Sequence, residues 1–95
     1  MSYYRRRVDT IHRSVGQALL AVTWAKDVHI HGAIGCDWLA RHIRTRRLVM
    51  IECKTPGPPS SMRLTENELE MRAAFPEDYV VVTSDAEALR AVGAL

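Results

Sequence analysis

The chain has 95 residues, of which 47% are hydrophobic and 25% charged, and a net charge of +2. That is ordinary for one soluble globular domain with a single core and a thin margin of stability. Two cysteines do not make a disulfide framework, and no apolar run approaches the roughly 18 residues of a membrane helix, so neither a disulfide scaffold nor a membrane-spanning helix is expected. The opening Met-Ser-Tyr-Tyr-Arg-Arg-Arg has no apolar segment behind it, so no signal peptide is read, and a cytoplasmic protein with reduced thiols is expected. The charge is uneven. Residues 1–65 carry eleven Lys or Arg against four Asp or Glu, and residues 66–95 carry two against seven. Eleven of the thirteen cationic residues are Arg, the better bidentate phosphate ligand, so a basic half facing a polyanion is expected.

Residues 1–8 read as a basic, partly flexible lead-in. Asp9 is a candidate N-cap, and Ile11, Val15, Ala18, Leu19 and Val22 recur at helical spacing, which predicts a helix from about Asp9 to Trp24. Gly16 is a weak point in it, and His12 and Arg13 fall off the apolar stripe. Val28-His29-Ile30-His31 alternates and reads as a short strand, followed by a turn at 32–35. Two further strands, about Asp37 to Ile43 and Leu48 to Lys54, fold into a hairpin through Arg44-Thr45-Arg46-Arg47. The second is apolar on both faces, as a central strand is. Thr55 to Ser61, with three prolines, reads as an irregular surface loop. Thr65 and Glu68 form a capping-box pattern opening a helix that runs to Pro76. Tyr79 to Thr83 reads as a buried strand. Ser84 and Glu87 repeat the capping pattern before a last helix through Leu89 and Val92 to about Gly93. The predicted fold is therefore α/β, in the order α-β-β-β-α-β-α. The first three strands form an antiparallel meander, and the fourth joins parallel to the third through a helical crossover. The result is a four-stranded mixed sheet with helices packed on it.

Residues two apart on a strand share a face, so Glu52 and Lys54 point the same way at the end of the central strand. The hairpin sets Asp37 beside Glu52. Two carboxylates and an ammonium at the wet end of a buried strand are costly unless they bind something, and a divalent cation suits them. Asp37 and Glu52 are the candidate ligands of that cation, with Lys54 close behind them. Cys36 and Cys53 point away from the site face as buried thiols. His29 and His31 share a strand face, but with the two cysteines they match no common zinc spacing.

Gly35-Cys36-Asp37, then Ile51-Glu52-Cys53-Lys54, a Pro/Ser-rich loop from Pro56 to Ser61, Leu64 to Glu68, and Val80 to Leu89 together resemble the PD-(D/E)XK nuclease superfamily. They are most similar to VRR-NUC-type members and their short phage-encoded relatives, over about residues 9–93. The resemblance implies a restriction-endonuclease-like fold and a Mg²⁺- or Mn²⁺-dependent endonuclease in a bacterial or phage-infected cell. It implies Asp37, Glu52 and Lys54 as catalytic residues and the Cys53 backbone carbonyl as a third metal ligand. Two departures stand out: Cys36 replaces the usual Pro before the Asp, and Ser14 occupies the place where the first helix usually supplies an acid. Asp9, His31 and Glu68 are further candidate site contacts. Arg5, Arg6 and Arg7, with Arg41, Arg44, Arg46 and Arg47, are candidate phosphate contacts. The expected partner is DNA, including branched DNA, with RNA not excluded. A homodimer is expected, since two sites suit two strands. The alternative is a nucleic-acid-binding or interaction module that keeps the nuclease fold without its chemistry.

Overall fold

The structure is a computed structural model that describes residues 2–31 and 34–95, with side chains for 10–30 and 34–95. In chain order the elements are α1 (Ser2–Val22), β1 (Ala25–Asp27), β2 (Trp38–Arg41), β3 (Leu48–Cys53), α2 (Glu66–Ala74), β4 (Tyr79–Val82) and α3 (Asp85–Ala91). Short 3₁₀ turns lie at His29–His31 and Pro59–Met62. The four strands form one mixed sheet in the order β1-β2-β3-β4, antiparallel from β1 to β3 and parallel between β3 and β4. The α/β class, the meander and the parallel fourth strand are thus as expected from the sequence.

β3 is buried along nearly its whole length because both faces of the sheet are covered. Val49, Ile51 and Cys53 join Val15 and Leu19 of α1 and Ala88 and Val92 of the α3 region in the main core. Met50 turns to the other face, where Val28, Cys36 and Tyr79 form a smaller cluster closed by Leu64 and by Met71 of α2. The two cysteines are therefore free, buried thiols on opposite faces of the sheet, not side by side on one.

Four sequence expectations are corrected. First, α1 begins at Ser2, so Asp9 is an internal helix residue and not an N-cap. Residues 3–8 contain no Gly or Pro, and Arg is a strong helix former. Second, the first strand is Ala25–Asp27, three residues earlier than its alternation suggested. The Asp27 carboxylate accepts the His29 N–H at 2.9 Å, which bends the chain into the 3₁₀ turn, so His29 and His31 do not share a strand face. Pairing with β2, Ala25 opposite Ala40 and Asp27 opposite Trp38, outweighs the poor strand propensity of Ala-Lys-Asp. Third, the proline loop holds regular structure after all. Pro58 caps the Pro59–Met62 turn, where a missing N–H costs nothing at a helix start. Fourth, Ser84 accepts the Glu87 N–H, but the Glu87 carboxylate turns to Thr83 rather than completing the box.

Gly16 has a role the helical pattern does not reveal. A Cβ there would collide with the Trp38 indole, which packs against this point of the helix. Gly16→Ala gains up to about 1 kcal/mol of helix propensity. It also overpacks a buried contact, which costs about 1–3 kcal/mol. A net fall in unfolding free energy is expected in urea titration, and a rise would mean that Trp38 has room to move.

Candidate metal and catalytic cleft

Glu52 is the next-to-last residue of β3, and the register Trp38 to Ile51 sets Asp37 directly across from it. Asp37 continues the ladder by one bond, its N–H donating to the Ile51 carbonyl at 2.9 Å. Its carboxylate is clamped on both oxygens. Oδ2 accepts the Cys53 backbone N–H at 2.8 Å, and Oδ1 lies 2.8 Å from His29 Nδ1. Upstream, Gly35 holds φ at +92° with its α-carbon pressed against the α2 backbone at Asn67, where a side chain has no space. The Tyr79 hydroxyl donates to the Gly35 carbonyl at 2.8 Å. These contacts tie the approach to Asp37 to both β4 and α2.

Both acids are nearly lost to solvent, Asp37 at 7% exposed and Glu52 at 4%. Burial, then the Asp37 carboxylate and Glu68, push the Glu52 carboxyl up to about 9, and the Lys54 ammonium pulls the other way. Lys54 Nζ sits 3.6 Å from Glu52 Oε2 and donates to Glu68 Oε1 at 3.0 Å. That same Glu68 oxygen accepts the Thr65 N–H at 2.9 Å, and the Thr65 hydroxyl accepts the Glu68 N–H. The capping box and the contact with Lys54 are therefore one arrangement. Burial works against the Glu68 charge, but the Thr65 and Lys54 hydrogen bonds hold its carboxyl below the ordinary range. The two shifts run in opposite directions, favouring the neutral form of Glu52 and the charged form of Glu68.

Asp37, Glu52, Cys53, Lys54 and Glu68 all line one cleft of about 700 Å³, together with Thr55, Pro56 and Pro58 of the proline loop. The sequence-predicted core of the site is therefore brought together. The side chains of Arg5, Arg6, Arg7, Asp9 and His31 lie outside the described residues. Arg41, which pairs with Leu48, and Arg44, Arg46 and Arg47 lie toward the far end of the β2–β3 hairpin, four or more residues along the strand from Glu52, about 13 Å or more at strand rise. They do not share the cleft, and Arg47 is engaged with Asp78 at 2.8 Å. The exposed cation that does line the cleft is Arg63, which no sequence pattern singled out. Ser14, where an acid was expected, points to α3 instead, its hydroxyl 2.6 Å from Asp85 Oδ1.

The residue that α1 turns toward Asp37 is His12. Its side chain is 12% exposed, its Nδ1 lies 3.8 Å from Asp37 Oδ1, and its ring packs on Trp38 and His29. Set against protein-family models, curated proteins and solved structures, the chain matches none. Among the described residues no helix is long and apolar enough to cross a membrane.

Proposed function

We propose that the chain is a divalent-cation-dependent nuclease that hydrolyses phosphodiester bonds in DNA, on a restriction-endonuclease-like fold. The observation that carries this reading is the buried pair of acids, Asp37 and Glu52, facing each other at the end of β3 with the Lys54 ammonium against them. Holding both acids ionised there is unfavourable by several kcal/mol, and a divalent cation between them offsets that cost.

The donor set fits a hard ion. Two carboxylates at an open cleft, with room for waters, are what Mg²⁺ or Mn²⁺ takes, and the Cys53 carbonyl is the third ligand that the resemblance implies. When bound, the ion supplies Lewis acidity to a phosphoryl oxygen and lowers the pKa of its water. The protein's own part is orientation. Asp37 is preset by Cys53 N–H and His29, so it loses no side-chain freedom on binding. Glu68 fixes the Lys54 ammonium over the cleft, where it holds the attacking water and offsets charge that builds on the phosphate. Arg63 and the proline loop flank the path of the nucleic-acid backbone. Arg44 and Arg46, at the other end of the hairpin, serve phosphates remote from the scissile one. The sequence carries no base-reading motif, so the substrate is selected by shape, with branched DNA first among the candidates.

Cleavage of duplex, branched and single-stranded DNA in Mn²⁺ or Mg²⁺ tests the reading. Lys54→Ala is expected to bind DNA as the wild type does and to cleave on the order of 10²–10³-fold more slowly. Wild-type binding without cleavage in either metal would make the chain a nucleic-acid-binding module on this fold.

A further inference from the structure

Behind the cleft, on the α1 face of the sheet, a second constellation surrounds His12. Its Nε2 lies 2.8 Å from Asp27 Oδ2. Burial works against the Asp27 charge, but the His12 hydrogen bond and the His29 N–H hold that carboxyl below its ordinary range. A carboxylate only accepts, so the shared proton sits on His12 Nε2. Nδ1 is buried and has no hydrogen-bond partner among the described residues, though it faces Asp37. At 3.8 Å from Oδ1 it is too far for a hydrogen bond and near enough for a common ligand. Cys53 completes the group: one ligand atom from each of His12, Asp37 and Cys53 lies within 4.8 Å of the others. An imidazole backed by a carboxylate, with its second nitrogen bare and aimed at other donors, is how metal-ligating histidines are held.

We infer that His12 Nδ1, Asp37 and Cys53 Sγ form a binding site for a zinc-class transition ion, with Asp27 as the residue that orients His12. Imidazole, thiolate and carboxylate favour zinc or cobalt over magnesium. Three protein ligands leave a fourth position for water. The thiol proton goes to solvent on binding, and the ion's charge compensates the thiolate and Asp37. This site shares Asp37 with the hard-cation site of the cleft but takes its other ligands from the opposite face, and strand alternation explains how both fit. Cys53 faces α1 with Ile51, Glu52 faces α2, and Asp37 stands at the sheet end between them. His12 and Asp27 also line a smaller depression of about 350 Å³, while Asp37 and Cys53 line the main cleft. The inference does not depend on the nuclease reading.

Titration of the wild-type protein with Co²⁺, followed by absorption, tests it. A thiolate-to-cobalt charge-transfer band with the ligand-field spectrum of four-coordinate cobalt is expected, and Zn²⁺ should abolish both by displacement. Cys53→Ser should lose the charge-transfer band, whereas Cys36→Ser and Glu52→Gln should keep it. Asp27→Asn removes no ligand and should weaken cobalt binding about ten- to a hundredfold. The inference is overturned if saturating Co²⁺ gives the wild type no charge-transfer band, or if the band survives in Cys53→Ser. Should Cys53→Ser fail to fold, the wild-type spectrum and the Asp27→Asn affinity still decide.

Discussion

Glu52→Gln is expected to abolish cleavage and, without divalent ions, to make the protein more stable at pH 8 than the wild type. Folding raises the Glu52 pKa from 4.5 to about 9, through burial first and the Asp37 and Glu68 charges second. The folded state therefore holds a proton that the unfolded chain releases between those values. Its contribution to stability is fully present below about pH 4.5 and is lost as the pH climbs toward 9, at a slope of up to about 1.4 kcal/mol per pH unit. Gln copies the shape of the protonated carboxyl and its ability to donate to Glu68, but has no proton to lose. Urea titrations at pH 5 and pH 8 in a chelator should show the wild type losing stability across the interval and the variant staying flat. Equal slopes would mean that Glu52 is already ionised in the fold. Glu68 and Asp27, whose pKa values are lowered, act in the opposite sense and belong to a separate acid limb below about pH 4.5. Added Mn²⁺ should restore wild-type stability at pH 8 by mass action and leave Glu52→Gln unmoved.

The parts of the site that were legible in the sequence are those governed by short, regular rules. Period-two alternation along β3 gives Glu52 and Lys54 one face, the hairpin gives Asp37 its place opposite, and the Thr65–Glu68 spacing gives the capping box. None of these needs distant packing. His12 was missed for a different reason. A stripe anchored on Ile11 and Val22 leaves it out, yet residues 12, 15, 16 and 19 also share one helix face, and Val15 and Leu19 are the fully buried pair. Val22, counted in the stripe, is 43% exposed. The helix is rotated because Gly16 admits the Trp38 indole, a close approach that no periodicity encodes. The first strand was misplaced because Val28-His29-Ile30-His31 alternates better than Ala25-Lys26-Asp27. The side chain of Asp27 and the pairing to β2 override that local preference. The basic hairpin was legible as a cluster, but its distance from the cleft follows only from the length of β3.

Asp37 separates charge from architecture. Asp37→Asn is expected to fold and to lose divalent-cation binding and cleavage, because an amide oxygen can still accept the Cys53 N–H while the negative charge is gone. The amide NH₂ then faces His29, which accommodates it by presenting the bare form of Nδ1. Asp37→Ala loses the same functions and, in addition, leaves a buried backbone N–H without an acceptor, which costs about 1–3 kcal/mol. For a domain of this size that lowers Tm by roughly 4–8 °C for each kcal/mol. Calorimetric titration with Mn²⁺ and thermal unfolding of the two variants give both halves of the test, and an Asn variant that bound Mn²⁺ as the wild type does would remove Asp37 from the ligand set. Asp37 is also the one residue common to both faces of the sheet end. Its Asn variant should therefore lose the Mn²⁺ isotherm and the cobalt spectrum together. Glu52→Gln should lose only the first, and Cys53→Ser only the second. That pattern of losses follows from a single carboxylate standing between strand neighbours that point in opposite directions.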